Sequence, residues 1–281
     1  MSATLINAVE SLIDGWLSLP VFAIIFSLVA LLSACAFVCY GFLTSRAGRR
    51  YAASGARISP AMVMSVSVLF ALLAGFLGSD IAQRVTRAHR ATADEARALT
   101  MIEALTRNGS GQLANLRKLG EDYARIVLSE ELLLVEESVK SPALTKVLDD
   151  LKREAAVMLL SGAPASGPAI DAALLLSEAR LERLNVGQET AGFQWFTVIA
   201  LSLMMIVALG LVHLDNLAGV ATTWIVFIAA TVVVLGMLAI RDNPFSPPIR
   251  ISSAPLEEAL ASFQMDRDDS GSAHGGIGEP Q

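Results

Sequence analysis

Residues 60–107 read PAMVMSVSVLFALLAGFLGSDIAQRVTRAHRATADEARALTMIEALTR. The first twenty, Pro60 to Ser79, carry no charge, and the remainder continues without Gly or Pro to Arg107. Both properties favour a single uninterrupted helix, which over 48 residues would be about 72 Å long at ~1.5 Å per residue. Because the apolar core of a bilayer is only ~30 Å thick, the second half of this helix must stand in water. The stretch therefore predicts a membrane span that continues as a helical stalk.

Three more segments of the chain are long, apolar and free of charge. Pro20–Leu43, Phe193–Val212 and Leu217–Ile240 each run for 20 to 24 residues. Helices of this length satisfy their own backbone hydrogen bonds while they cross lipid. The 281 residues are 54% hydrophobic with a mean hydropathy of +0.56, which is too apolar for an ordinary soluble domain. The predicted fold class is an all-α membrane protein with four transmembrane helices, in residues 20–79 and 193–240.

Residues 80–192, between the second and third spans, are predicted to form a soluble helical bundle. Apolar residues recur there at three- and four-residue steps in residues 112–140 and 142–159, and Leu174 and Leu181 belong to a nearly seven-residue repeat over residues 170–191. Residues 161–168 are predicted to be a flexible linker. The bundle would contain four antiparallel helices, two of which continue spans two and three.

The two ends of the chain differ from each other in composition. Residues 1–19 place apolar side chains on one helical face, which predicts an amphipathic helix in the membrane interface. Residues 241–263 are predicted to be a post-membrane segment with one short helix at Pro255–Phe263. Residues 264–281 are polar and Gly-rich, which is typical of a disordered tail.

Three motifs in the chain resemble segments of a known family. They are an Ala-rich segment at residues 87–99 with Glu95-Ala96 and Leu99, a helical segment at residues 123–132 that starts with Tyr123 and includes Glu130, and the run Asp242-Asn243-Pro244-Phe245 after the fourth span. Together, over residues 20–263, they resemble the bacterial bestrophin-like family, whose four-span membrane proteins have no defined function and are distantly similar to bestrophin channels. The resemblance implies an oligomeric ion channel or pore.

The chain also departs from the family pattern. Leu132 stands where the family tends to have Trp, and Pro247-Pro248 where it tends to have Gly. In bestrophin channels an acidic cluster after Asn-Pro-Phe binds calcium, but here Phe245 is followed by Ser-Pro-Pro-Ile-Arg. Calcium binding is therefore not carried over, and the sequence predicts neither a metal ion nor a cofactor.

The second span offers candidates for the lining of a pore. If several copies place this helix around one axis, Phe70, Phe76 and Leu77, taken as sharing roughly one face, would form a dewetting constriction. Packing against neighbouring helices is the simpler explanation of the same residues. Asp80 lies just beyond them, where a ring of carboxylates would favour cations.

Arg84, Arg87 and Arg90 follow where the helix is predicted to leave the membrane. Repeated around an axis, each arginine would form a ring that concentrates anions at a pore mouth. In a separate subunit the same side chains would bind lipid headgroups or be solvated. The sequence leaves both interpretations open.

Two functions remain open on the sequence alone. One is an oligomeric ion channel or pore lined by the second transmembrane helix, and the other is a non-conducting sensor or scaffold whose bundle binds a ligand or a protein. No enzyme is predicted, because the three histidines are scattered and no Gly-rich phosphate loop occurs. A net charge of −6 and a pI near 5.2 disfavour nucleic acid as a partner. The predicted partners are the lipid bilayer, further copies of the chain and small inorganic ions.

The predicted location is the plasma (inner) membrane, which the chain would cross several times. Four arginines in residues 44–59 favour a cytoplasmic first loop, and hence a bundle on the outside. The resemblance to bestrophins implies a cytoplasmic bundle. The side of the membrane on which the bundle lies is therefore open.

Overall fold

The protein is all-helical in the part of the chain that its computed structural model describes, residues 11–13, 15–53, 59–107, 109–131, 141–188, 192–213, 217–242 and 251–274. No strand occurs in these ranges, so the predicted fold class is confirmed. The helices that we number are α1 (Val21–Thr44), α2 (Arg46–Ala53), α3 (Pro60–Thr106), α4 (Gln112–Ile126), α5 (Pro142–Leu160), α6 (Ser166–Gln188), α7 (Gly192–Val212), α8 (Leu217–Asp242) and α9 (Ala254–His274).

Four of these helices are long and apolar enough to cross a membrane. They are Val21–Thr44, Pro60–Thr106, Gly192–Val212 and the segment Gly219–Asp242 of α8. The predicted continuity of the second span is also confirmed, because α3 runs for 47 residues without a break past Ser79. The protein is therefore a membrane protein by the length and composition of its helices.

The chain divides into two compact units. The first contains residues 1–83 and 190–243, and the second contains residues 84–189 and 244–281. Helix α3 contributes its first part to one unit and its second part to the other. The second unit contains most of residues 80–192 and, in addition, the segment after the fourth span.

The first unit is held together by aliphatic and aromatic side chains from α1, α3, α7 and α8. Its most deeply buried members include Leu28, Leu77, Ile81, Trp195 and Leu235. The ring of Trp195 contacts Trp16 edge-to-face at 5.7 Å. Trp16 lies in the predicted interfacial segment, of which residues 11–13 and 15–17 are helical and residues 1–10 lie outside the described residues.

The larger of two apolar clusters described in the second unit contains residues of α3, α4, α5, α6 and α9. Its fully buried residues include Leu99, Ile102, Leu116, Tyr123, Leu144, Leu151, Leu176, Leu256 and Phe263. Helix α5 begins as predicted at Ser141-Pro142, since the Ser141 hydroxyl accepts a hydrogen bond from the Leu144 backbone N–H at 3.3 Å.

Helix α9 corrects two predictions about the end of the chain. The short helix predicted at Pro255–Phe263 is part of a helix that continues to His274, so the prediction of a disordered tail was wrong for residues 264–274. The physical reason is that no Gly or Pro follows Pro255 until Gly271, which lets the backbone hydrogen bonding continue. Residues 275–281 lie outside the described residues.

Three other predicted boundaries differ from the structure or lie beyond it. The helix predicted over residues 112–140 is α-helical to Ile126 and continues as a π-helical turn at Val127–Glu131, while residues 132–140 lie outside the described residues. The linker is shorter than predicted, because α6 begins at Ser166 and takes Pro168 into its first turn, where a missing N–H costs little. Residues 189–191, where α6 was predicted to run directly into α7, are not described.

The packing of α9 against the bundle depends on Gly120. A Cβ atom at this position would lie 3.0 Å from the Ile102 side chain and 3.1 Å from the Phe263 ring. We therefore expect Gly120→Val to lower the free energy of unfolding by about 1–3 kcal/mol through overpacking. Chemical denaturation followed by circular dichroism measures the change. Gly167→Val, where nothing lies within 4 Å of a Cβ, is the control, and equal losses in the two variants would contradict the prediction.

Candidate functional site

The membrane part of α3 is the least buried of the four candidate spans. Within a single chain, 6% of its most apolar 18-residue window is buried, compared with 22%, 39% and 28% for the spans in α1, α7 and α8. Helices that are apolar on all sides face either lipid or another protein surface. Most of the surface of this span is thus available for lipid or for further copies of the chain.

The three predicted pore residues do not share a face of this helix. Leu77 is 1% exposed and packs in the core of the first unit, and the Phe70 ring lies 6.0 Å from that of Phe227. Phe76, by contrast, is 61% exposed. The cause is the helical period, since residues seven apart fall together and residues six apart do not.

Phe76 does lie on an exposed apolar stripe. Leu69 and Leu72 are each 51% exposed and precede it at spacings of seven and four residues, which place all three on one face of α3. We call this set the α3 apolar stripe. The sequence could not distinguish it, because both faces of the span are apolar.

The charged candidates beyond the span lie in different environments. Asp80 is half-buried, Arg84 is only 3% exposed, Arg87 is half-buried and Arg90 is exposed. An arginine as buried as Arg84 does not present its guanidinium to solvent in a single chain. Of the three predicted arginines, Arg90 is the most exposed and Arg84 the least.

A cluster of buried polar side chains lies inside the second unit. Arg183 of α6 donates two hydrogen bonds to the carboxylate of Glu95 on α3, from Nε to Oε2 at 2.8 Å and from Nη2 to Oε1 at 3.2 Å. The Tyr123 hydroxyl of α4 donates to the same Oε1. All three side chains are at most 1% exposed. The cluster therefore joins three helices through a bidentate, charge-assisted pair.

A second buried arginine extends this network towards the start of α5. Arg180 donates through Nη2 to the Thr145 hydroxyl at 3.1 Å and to the Ser141 carbonyl at 3.4 Å. The Ser141 hydroxyl in turn donates to Glu130 Oε2 at 2.8 Å. The polar interior of the unit thus runs from the first turn of α5 to the middle of α6.

Sequence reasoning did not select this cluster, although a signal for part of it was present. Glu95 lies four residues from both Ala91 and Leu99, on the same helical face as the predicted apolar residues of the stalk. A carboxylate in that register is buried with the core and requires a cation. The identity of the cation, Arg183, follows only from how α6 packs.

Ionisation of the buried Tyr123 hydroxyl makes the second unit less stable at alkaline pH. Burial raises the pKa of Tyr123 well above its usual 10.0, the Glu95 carboxylate raises it further, and Arg183 partly opposes both. Because the folded-state pKa exceeds the unfolded one, this stabilisation is complete below pH 10.0 and is lost as pH rises above it.

We accordingly expect the protein to lose up to about 1.4 kcal/mol of stability per pH unit above pH 10 through this one group. Urea unfolding at several pH values from 9 to 11 measures the loss. Tyr123→Phe lacks the ionising group, so its curve should fall less steeply over the same range. Parallel curves for the two proteins would contradict the prediction.

Asp242, at the end of α8, also has a buried partner. It is 5% exposed, and its Oδ1 accepts a hydrogen bond from Trp195 Nε1 at 3.2 Å. This contact ties the end of the fourth span to the start of the third. The next three residues of the predicted motif, Asn243, Pro244 and Phe245, lie outside the described residues.

The family assignment follows from comparison with known proteins. Residues 30–256 match the family model described as a bestrophin-like domain. The chain belongs to the bestrophin-like family. Among proteins with curated descriptions, none matches it.

Solved structures of a bacterial bestrophin homolog from Klebsiella pneumoniae share the bestrophin-like fold. The structure phased with zinc matches with a TM-score of 0.63 at 14% identity, covering 87% of this chain and 98% of that chain. Two variants with single mutations match with TM-scores of 0.63 and 0.64 at 12% and 13% identity, covering 87% and 88% of this chain and 99% and 98% of those chains. At such identities the similarity establishes the fold alone.

Two of the motifs that resembled the bestrophin-like family meet in the buried cluster. Glu95 comes from the Ala-rich motif and Tyr123 begins the second motif, and they share a hydrogen bond. Within the described residues, no group of three or more His, Cys, Asp or Glu side chains is placed to hold a metal ion.

Proposed function

We propose that this bestrophin-like membrane protein assembles into an oligomer with an ion-conducting pore lined by α3. The observation that carries the proposal is the low burial of this span, 6% of its most apolar window, in a helix long enough to cross the membrane. A transmembrane helix whose surface is not buried by its own chain can line the central axis of an oligomer. Family membership supports the same conclusion. We place the protein in the plasma (inner) membrane.

The narrowest part of the proposed pore is formed by the α3 apolar stripe. Leu69, Leu72 and Phe76 repeat at one-turn intervals on an exposed face, so several copies would stack them as apolar rings. Apolar rings gate ions by excluding water from the constriction. Phe70 and Leu77 pack behind the stripe in the first unit and hold its backbone in place. Asp80 contributes charge next to this constriction.

Reconstitution of the purified full-length protein into liposomes tests the proposal. We expect salt-gradient-driven ion flux that depends on protein concentration, from a species larger than a dimer in detergent. Paired measurements with impermeant cations and with impermeant anions assign the selectivity. A protein that is strictly monomeric or dimeric, or that passes no ion at any potential, overturns the proposal.

A groove in the second unit favours a second candidate function, that of a non-conducting sensor. It has a volume of about 440 Å³ and lies between α3 and α6, with Ala91 and Ala179 buried beneath Arg87, Asp94 and Glu182. A ligand held there would contact the same helix that crosses the membrane. Ligand-dependent protection of residues 87–94 from hydrogen exchange, with no ion flux, would support the sensor against the pore.

A further inference from the structure

The short helix α2 carries a cluster of arginines directly after the first span. It begins at Arg46, two residues after α1 ends at Thr44, and Arg49 and Arg50 belong to the same helix. Tyr40 is 40% exposed near the end of α1, and exposed aromatic side chains at the end of a span mark the level of the lipid headgroups. Helix α2 therefore starts at the membrane–water interface.

The connection between α1 and α2 is tightly packed. The Ser45 hydroxyl donates a hydrogen bond to the Phe42 carbonyl at 2.6 Å and accepts one from the Gly48 N–H at 3.1 Å. A Cβ atom on Gly48 would lie 2.2 Å from the Phe42 carbonyl oxygen and 2.9 Å from Leu43 Cα. Only a residue without a Cβ fits there, so α2 is held against the end of α1 in a fixed orientation.

Arg46 and Arg50 lie on the face of α2 that points away from this contact. Residues two apart on a helix are about 200° apart around its axis, so both arginines face outward while Gly48 faces α1. Both arginines are exposed, whereas Gly48 is buried. Their spacing of four residues places the two side chains next to each other, with about 5–6 Å between Cβ atoms. The two guanidinium groups can thus donate hydrogen bonds to one phosphate group.

No acidic residue neighbours these arginines in the sequence. Residues 15–79 contain no Asp or Glu, and within the described ranges neither Arg46 nor Arg50 forms an ion pair. Exposed arginines of the second unit, by comparison, pair with a carboxylate one turn away, as Arg153 does with Asp150 at 2.8 Å. The whole chain has a net charge of −6, so α2 is a basic segment in an acidic protein. Its charge is complementary to an anion.

We propose that α2 binds the headgroup of an anionic phospholipid, with Arg46 and Arg50 donating to its phosphate. A lipid is the occupant that the position of α2 favours, because its acyl chains can lie along the exposed apolar surface of α1, where Val38 and Phe42 are 70% and 46% exposed. A soluble anion would gain no such apolar contact. The site belongs to α2 and does not depend on whether α3 lines a pore.

Native mass spectrometry of the full-length protein, delipidated in detergent and then titrated with lipid, tests the site. We expect the wild type to bind phosphatidylglycerol more tightly than phosphatidylcholine with the same acyl chains. Arg46→Gln with Arg50→Gln should weaken phosphatidylglycerol binding by about 25-fold, since each arginine contributes about fivefold at an anionic membrane surface. Arg46→Lys with Arg50→Lys keeps both charges, so its loss should be smaller.

The matched control is Lys146→Gln with Arg153→Gln on α5, whose side chains are also exposed. It removes the same two positive charges away from α2 and should bind phosphatidylglycerol as the wild type does. A wild type that binds the two lipids equally, or an Arg46→Gln, Arg50→Gln protein that keeps the wild-type preference, overturns the proposal. A control that loses as much affinity as this variant also overturns it, because the effect would then follow net charge alone.

Inorganic phosphate distinguishes a lipid headgroup from a soluble anion. For a headgroup site, millimolar phosphate should leave the phosphatidylglycerol bound to the wild type largely in place, since the acyl chains add apolar contact that phosphate lacks. If the wild type binds inorganic phosphate, and Arg46→Gln with Arg50→Gln removes that binding but not the preference for phosphatidylglycerol, α2 holds a soluble anion and the lipid proposal is overturned.

Discussion

Replacement of Arg183 by Ala is expected to lower the free energy of unfolding of the second unit by about 3–5 kcal/mol. The substitution leaves the Glu95 carboxylate buried with no cation opposite it, and the carboxylate keeps only the Tyr123 hydroxyl as a hydrogen-bond donor among the cluster residues. Removing one member of a buried pair costs far more than the pair contributes, because the remaining charge is desolvated without compensation. Chemical denaturation followed by circular dichroism measures the loss.

Arg153→Ala provides the matched control for this effect. Arg153 pairs with Asp150 at 2.8 Å on α5, but its side chain is 72% exposed, and surface pairs of this kind contribute ~0–1 kcal/mol. An apolar replacement of the whole cluster, Arg183→Met with Glu95→Leu and Tyr123→Phe, is expected to be milder than Arg183→Ala alone. If the Arg183→Ala and Arg153→Ala proteins are equally stable, the buried cluster does not hold the bundle together.

The elements of this fold were predictable where one strong physical constraint controls the sequence. A charge-free run of about twenty residues is required by lipid, and the absence of Gly and Pro from residues 80–107 favours a continuous helix, so the four spans and the length of α3 were predicted from composition. Helix α9 was only partly predicted, because its second half is polar and polar residues indicate a helix weakly without its packing partners.

The direction in which side chains point was less predictable. In α3 both faces of the span are apolar, so no pattern separated buried Leu77 from exposed Phe76. In α6 the repeat that includes Leu174 and Leu181 lies outside, while alanines form the buried face because small residues let helices approach closely. Arg183 could not be identified as the partner of Glu95 for the same reason, since a helix sequence does not identify the helix that packs on it.

Phe76→Ala is expected to raise ion flux through reconstituted protein by about tenfold, the change that a barrier lowered by ~1.4 kcal/mol produces. The side chain is 61% exposed on the α3 apolar stripe, so its loss widens the proposed constriction and allows water to enter it. It makes no major contribution to the core of the first unit, and the stability of the protein should therefore change little. Flux into liposomes under a salt gradient, normalised to the amount of oligomer, measures the effect.

Phe70→Ala separates the pore explanation from a general loosening of the span. It is the same substitution six residues earlier on α3, but Phe70 packs against Phe227 at 6.0 Å, so its loss should lower stability and leave selectivity unchanged. If Phe70→Ala raises flux as much as Phe76→Ala does, the increase comes from weakened helix packing and the stripe does not line the pore. If only Phe76→Ala raises flux, the exposed face of α3 is the one that ions pass.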